Sequence, residues 1–221
     1  MKIAVIGGGA AGFMAAITAK ETNPKNNVII FEKTDKVLVK VKVSGGGRCN
    51  VTNATFSISK LIKNYPRGGR ELKKSFNHFF TTDTVNWFES RGVVLKTEAD
   101  KRMFPSSNSS QAIVDLLLNS AENLGIRLSY KSKISAITPI ENGINLSING
   151  ETLHFDKVII ASGGSPKESG LDWLKKLGYK IIKPEPLSIK NKVASSSLIR
   201  NFLEEGLLNK ANKLLKRNWS I

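Results

Sequence analysis

The sequence predicts an α/β fold, a parallel sheet carrying helices with a small antiparallel β-meander beside it, and three stretches predict it. KIAVI runs through a glycine-rich turn into the alanine-rich FMAAITAK and then into a second apolar run, NNVIIFEK. Later, KVIIASGG reads as another buried strand, this one ending in a small-residue turn. INLSINGETLHF alternates around Asn149-Gly150, a dipeptide that favours a two-residue hairpin. Short continuous apolar runs suit strands covered on both faces, as parallel sheets require.

Residues 2–6 form the first strand, and Gly7, Gly9 and Gly12 follow it with the spacing G-x-G-x-x-G. Gly7 permits the tight turn, Gly9 lets backbone approach a pyrophosphate, and Gly12 lets the helix lie close on the strand. Ala10 and Ala11, between the second and third glycines, are candidate cofactor contacts, and the N-terminus of the helix that follows presents free N–H groups and a partial positive charge to phosphates. Glu32 ends the second strand, twenty residues beyond Gly12, with Lys33 beside it. A carboxylate there accepts hydrogen bonds from adenosine ribose hydroxyls and repels a 2′-phosphate. The setting predicts dinucleotide binding and leaves FAD and NAD as alternatives.

Next comes SGGGRCNVTN, in which Gly45, Gly46 and Gly47 can turn main-chain N–H groups onto an anion, with Arg48 adding a charge-assisted bond. The same composition also suits a plain flexible loop. From there to residue 125 the pattern is mostly helical. ELKKSFNHFF and TDTVNWFESRG carry apolar residues at helical spacing, Thr82 or Asp83 suits an N-cap, and Trp87 and Phe88 read as core. NSSQAIVDLLLNSAENLG is an amphipathic helix ended by Gly125. His78 and His154 lack metal-ligand spacing and read as structural, so no metal is expected. The last stretch, NKVASSSLIRNFLEEGLLNKANKLLKRNWSI, reads as one basic amphipathic helix with Leu203, Leu207, Leu208, Ala211, Leu214 and Leu215 on one side. It suits a docking helix, a membrane-surface helix, sequence translated after a frame change in a longer gene, or a cover over a gap in the sheet.

The 221 residues suffice for one substantial core, and the 40% apolar content with mixed charge is that of a globular protein. The single cysteine, Cys49, excludes an intrachain disulfide and suits a reducing cytoplasm. The N-terminal apolar run is punctuated by patterned glycines and is short for a membrane span, so no transmembrane segment is expected. A net charge of +16 raises the question of a nucleic-acid partner. The basic residues are spread along the whole chain without a nucleic-acid-binding signature, so the reading is a solvated surface, with nucleic acid not expected.

GGGAAGFMAA, the pair Glu32–Lys33, VKVSGGGRCNVTN, NYPRG, FFTTDTVNWFESRGVVLKTEADKRMFP and VIIASGG follow one another in a familiar order. Together they resemble the bacterial flavoproteins of the BaiN-type, or aminoacetone-oxidase, family of FAD-dependent oxidoreductases, from Met1 to about Lys190. The resemblance implies a Rossmann-like FAD-binding domain of the two-dinucleotide-binding type. It implies FAD, with NAD(P)H as a candidate electron donor, Gly7 to Gly12 on the pyrophosphate and Glu32 on the ribose. It places Ser44 to Asn50, including Cys49, along the flavin side, so that two loops serve one extended ligand. It also implies an A-T-G-type turn at Ala161, Ser162 and Gly163, an adenine contact from the backbone of Ile134, and a position near the flavin for Arg102. Lys101 departs from the glycine usual before that arginine, and Ser162 from the commoner threonine. Family members insert a substrate domain after the A-T-G-type turn and return with a last strand. Neither is read here, which gives an incomplete FAD-binding domain over 1–190, a basic tail over 191–221, an unidentified substrate and room for a partner chain. No residue is assigned a catalytic role.

Overall fold

In the computed structural model, residues 1–65, 68–164, 173–174, 177–178, 188–189, 192–193 and 196–215 are described. The chain divides into two units, 1–178 and 179–221.

The first unit begins with β1 (Lys2–Ile6), α1 (Ala10–Thr22) and β2 (Asn27–Phe31), as the sequence predicts. There follow α2 (Val39–Gly47), β3 (Thr52–Asn53), α3 (Ile58–Leu61), a 3-10 turn (Ile62–Asn64), α4 (Gly69–Phe76) and α5 (Thr81–Glu89). Then come β4 (Leu95–Thr97), β5 (Arg102–Pro105), α6 (Gln111–Asn123) and β6 (Arg127–Ser129). The unit continues with β7 (Ile134–Ile140), β8 (Gly143–Ile148), β9 (Glu151–Phe155) and β10 (Lys157–Ile160). The main sheet is parallel, in the order β10-β1-β2-β6, and β7-β8-β9 is an antiparallel meander.

The period-2 alternation of β1 and β2 sorts their side chains between two cores. Ile3, Val5, Val28 and Ile30 face one way and pack with Phe13 and Ile17 of α1 and with Ile113 and Leu117 of α6. Ala4, Ile6, Ile29 and Phe31 face the meander, meeting Ile137, Leu146 and Phe155. Phe31 and Phe155 pack edge to face at 5.6 Å. Phe13, Phe155 and Leu146 are fully buried, and each contributes about 2–3 kcal/mol of apolar transfer. The parallel sheet is thus clamped between a helical layer and a small sheet, so its C-terminal edge is a fixed platform.

Three expectations for the first unit are corrected. The middle stretch carries a third sheet, in the order β3-β5-β4, besides its helices. Its strands are two to four residues long and leave no period to read. α5 starts at Thr81 after Phe80, and Asp83 sits inside its first turn, where its carboxylate accepts the Phe80 N–H at 2.8 Å. β10, expected to be buried, is half exposed, with Ile160 38% accessible, because among the described residues it pairs only with β1.

The second unit contains β11 (Ser188–Ile189), β12 (Lys192–Val193), α7 (Ser196–Glu204) and α8 (Leu208–Leu215). The single tail helix expected there is two helices. Gly206, at φ +70°, stops α7, the Leu207 N–H returns to the Phe202 carbonyl at 2.7 Å, and α8 starts afresh. Ala211 and Leu214 of the expected stripe are buried, whereas Leu208 is exposed. No helix among the described residues is long and apolar enough to cross a membrane.

Candidate functional site

At the C-terminal end of β1 the chain turns through Gly7, at φ +113°, where a side chain would be strained. A Cβ there would also lie 2.4 Å from the Ala161 carbonyl oxygen. This is the close approach between the first loop and the turn after β10. A Cβ on Gly12 would sit 1.9 Å from the Gly7 oxygen, so α1 can rest on the turn only with glycine there. Gly9 differs, since a Cβ on it would meet nothing within 4 Å. It is the N-cap of α1 and no side chain caps the helix. With no side-chain cap, the helix end at Ala10, Ala11 and Gly12 favours an anion.

Glu32, one residue beyond β2, folds back onto this loop. Its Oε2 accepts the Gly8 N–H at 2.9 Å, and its Oε1 accepts the Thr34 N–H at 3.0 Å and the Thr34 hydroxyl at 2.9 Å. Burial pushes its carboxyl up, but these hydrogen bonds and the Lys33 charge outweigh burial and hold it below the usual carboxylate range. Gly8 is a residue the sequence reading passed over. A Cβ there would fall 2.6 Å from Val37 and 3.2 Å from the Glu32 carboxylate. The middle position of the G-x-G was the only signal for it. The backbone of 129–132 lies alongside, with the Glu32 N–H donating to Ser129 and the Ser132 N–H to Glu32. Ile134 follows two residues later, at the start of β7, paired with Ile148.

The first loop is tied to the second. The Leu38 N–H donates to the Gly8 carbonyl at 2.8 Å and α2 begins at the next residue. Helical geometry holds to Val43, and Ser44 then turns extended. Five helical residues span about 7–8 Å, which fixes the spacing of the two loops. Gly45, Gly46 and Gly47 are all left-handed, at φ +56°, +67° and +82°. Such runs turn successive N–H groups to one side. A Cβ on Gly46 or Gly47 would meet nothing within 4 Å. The loop is anchored from below by Ser110, whose N–H donates to Gly47 (2.8 Å) and whose hydroxyl donates to Lys42 (2.7 Å). At its end the Asn50 amide, with its nitrogen toward the carbonyls, donates to Met103 and Thr52.

Arg48 and Arg102 converge on Phe104, their guanidinium carbons 4.0 and 5.3 Å from the ring centre. Arg48 pairs with Glu98, and Arg102 pairs with Asp100 at 2.5 Å and Glu98 at 3.6 Å. The structure therefore brings together two arginines that the sequence reading kept apart, through a glutamate that nothing in the sequence marked. Both cations already have carboxylate partners. Cys49 is buried, and burial pushes its thiol up, the opposite of an activated nucleophile. His78 is exposed and His154 faces Asn145 on the meander. No metal-binding group occurs among the described residues. Ser162 and Gly163 are exposed at the turn after β10, where a Cβ on Gly163 would lie 3.8 Å from Lys40 Nζ.

Beyond the second loop a cleft of about 330 Å³ opens, its floor the chain from Asn50 to Asn53 and its walls Leu61 of α3, Tyr65 after the 3-10 turn, Phe76 of α4, and Phe79 and Phe80 at the entry to α5.

A parallel sheet with a glycine turn at a switch edge, an uncapped helix N-terminus and a carboxylate just beyond the second strand defines a Rossmann-like dinucleotide-binding domain. With the meander beside it, the architecture is that of the FAD-binding flavoproteins. Residues 1–206 match the family model described as HI0933-like protein Rossmann domain, and the chain belongs to that family. It is 26% identical over 198 residues to the 3-dehydro-bile acid delta(4,6)-reductase of Clostridium scindens, covering 87% of this chain and 47% of that protein. It is 28% identical over 185 residues to the ribosomal RNA dihydrouridine synthase of Escherichia coli, covering 84% and 44%. The chain thus spans about half the length of the relatives it matches. Among solved structures it superposes on a flavocytochrome c3 fumarate reductase with a TM-score of 0.57 at 24% identity, over 74% of this chain and 33% of that one. It also superposes on the 3-ketosteroid-delta4-(5alpha)-dehydrogenase of Rhodococcus jostii with a TM-score of 0.53 at 16% identity, over 73% and 45%. These likenesses show the shared Rossmann-like fold.

Proposed function

We propose that the chain is the cofactor-holding part of an FAD-dependent oxidoreductase, and that it grips the adenosine and pyrophosphate of FAD. One observation carries this. The uncapped N-terminus of α1 and the carboxylate of Glu32 converge on the same turn, and a Cβ on Gly9 would meet nothing. The residues present fit FAD. The N–H groups around Gly9, Ala10, Ala11 and Gly12 take the pyrophosphate, Glu32 takes the ribose and the backbone near Ile134 takes the adenine. Ser44 to Asn50 and the Ala161–Ser162–Gly163 turn lie toward the flavin. Arg102, beside Phe104 and held by Asp100 and Glu98, is a candidate contact for a phosphate, the flavin or the substrate.

Bound FAD supplies hydride or electron transfer, with NAD(P)H as the proposed donor. The chain's own work is to position and shield. Free amides neutralise phosphate charge without a mobile cation, and the anchored second loop presents backbone rather than a titrating side chain. The relatives' names describe a bile-acid reductase and an RNA-modifying synthase, so they agree on no substrate. The test is the visible spectrum of the purified chain, before and after reconstitution with FAD. Flavin absorbance that persists through gel filtration is expected, and a chain that stays colourless in excess FAD overturns the reading.

The half-exposed β10 edge favours a second reading, a nucleotide-binding module that needs a partner chain to act. NAD(P)H oxidation by the isolated chain at enzyme-like rates would eliminate it.

A further inference from the structure

Three segments meet around one lysine. The Gly7 turn is pressed against the turn after β10, where a Cβ on Gly7 would lie 2.4 Å from the Ala161 oxygen and 3.0 Å from the Ser162 Cα. α2 starts against the same loop, with the Leu38 N–H on the Gly8 carbonyl, and runs into the second glycine loop. Lys40 lies in the first turn of α2. Its Nζ stands 3.8 Å from where a Gly163 Cβ would be, so the ammonium reaches across from α2 to the turn after β10. Leu38 and Val41, both buried in the core, fix the backbone on either side of it. The fold therefore sets where this lysine stands, although its side chain is exposed.

The cations of this region are not equally compensated. Arg48 and Arg102 are paired with Glu98 and Asp100. Lys40 pairs with no carboxylate among the described residues. Lys42, two residues on, falls about 200° further around the helix and so on another face. What remains is one uncompensated charge beside the two segments that the FAD reading puts toward the flavin.

A hydride carries two electrons and one proton, so a ring that accepts one becomes more negative by one unit. A cation held beside that ring favours its reduced form. We propose that Lys40 is such a cation, a tuning residue whose ammonium raises the electron affinity of flavin bound on this side of the two loops. It takes up neither proton nor hydride itself. The inference rests on the FAD reading above, which turns Ser44 to Asn50 and the Ala161–Ser162–Gly163 turn toward the flavin. To that reading it adds a side chain that acts on electron uptake rather than on holding the cofactor.

The test is the reduction equilibrium of the FAD-loaded full chain against a reference dye of known potential, with FAD affinity measured beside it by fluorescence quenching. Lys40→Gln is expected to shift the reduced-to-oxidised ratio toward oxidised about 3- to 20-fold, as one unit charge acts on another across a partly hydrated gap. Its FAD affinity is expected to stay at the parent value, and Lys40→Arg is expected to restore the equilibrium. Sulfite, which adds reversibly to oxidised flavin and leaves it one unit more negative, is expected to bind more weakly to Lys40→Gln in the same proportion. Lys25→Gln, at the opposite end of the sheet just before β2, is expected to change none of these. Circular dichroism of each variant checks the fold. An unchanged dye equilibrium in Lys40→Gln overturns the proposal. So does a loss of FAD affinity with that equilibrium unmoved, which makes Lys40 a phosphate contact. A chain that stays colourless in excess FAD sinks the FAD reading and this inference with it, whereas bound flavin indifferent to Lys40 sinks this one alone.

Discussion

Replacing Gly9 with alanine separates binding from folding. Gly9 has φ −92° and ψ −177°, ordinary extended geometry, and its Cβ would meet nothing within 4 Å. Alanine gains about 0.4–1 kcal/mol by restricting the unfolded chain and loses a comparable amount as an N-cap. The folded state is therefore expected to change by less than about 1 kcal/mol in urea denaturation. Binding responds differently. A methyl carbon needs about 3.5–4 Å to a neighbour, whereas a phosphate oxygen must come within about 2.7–3.2 Å of an amide nitrogen. The pyrophosphate is pushed out and loses one or two charge-assisted hydrogen bonds of about 1.5–3 kcal/mol each. That corresponds to at least a tenfold, and more nearly a hundredfold, loss of FAD affinity, read by quenching of flavin fluorescence on titration. Affinity within twofold of the parent, or a loss of stability as large as the loss of binding, refutes the reasoning.

Gly12→Ala contrasts with it, because its Cβ would lie 1.9 Å from the Gly7 oxygen. It is expected to lower the urea midpoint sharply or prevent soluble expression. Lys101 sits at φ +68°, so Lys101→Gly removes about 1–2 kcal/mol of strain against about 0.5–1 kcal/mol of glycine entropy, and a small rise in Tm is expected. The folded carboxyl of Glu32 titrates below its ordinary 4.5. Its stabilising contribution is complete above that value and is lost as pH falls through the lower folded value, so Glu32→Gln should flatten the acid side of the stability profile. Cys49 is buried with a raised thiol, so alkylation should be slow in native buffer and rapid in urea.

The strand–turn–helix–strand start was legible because each glycine there answers to a local contact, and because β1 and β2 are apolar on both faces. The hairpin at Asn149–Gly150 was legible from the turn residues alone. What the sequence hid is long-range. Glu98 lies 50 residues from the Arg48 it pairs with, and β3, β5 and β4 are too short to show a period. Ser110 supports the second loop from the start of another helix. In the tail, the apolar stripe was visible but Gly206 had to be recognised as a stop rather than a tolerated interior residue.

The bond from Gly8 to Glu32 has a kinetic meaning. Since the chain's own carboxylate braces the turn, the amides are aimed by a bond within the fold and an arriving nucleotide need not wait for a flap to close. Little disorder is left to freeze, so capture should run near the encounter limit and tightness should be set by how slowly the ligand escapes.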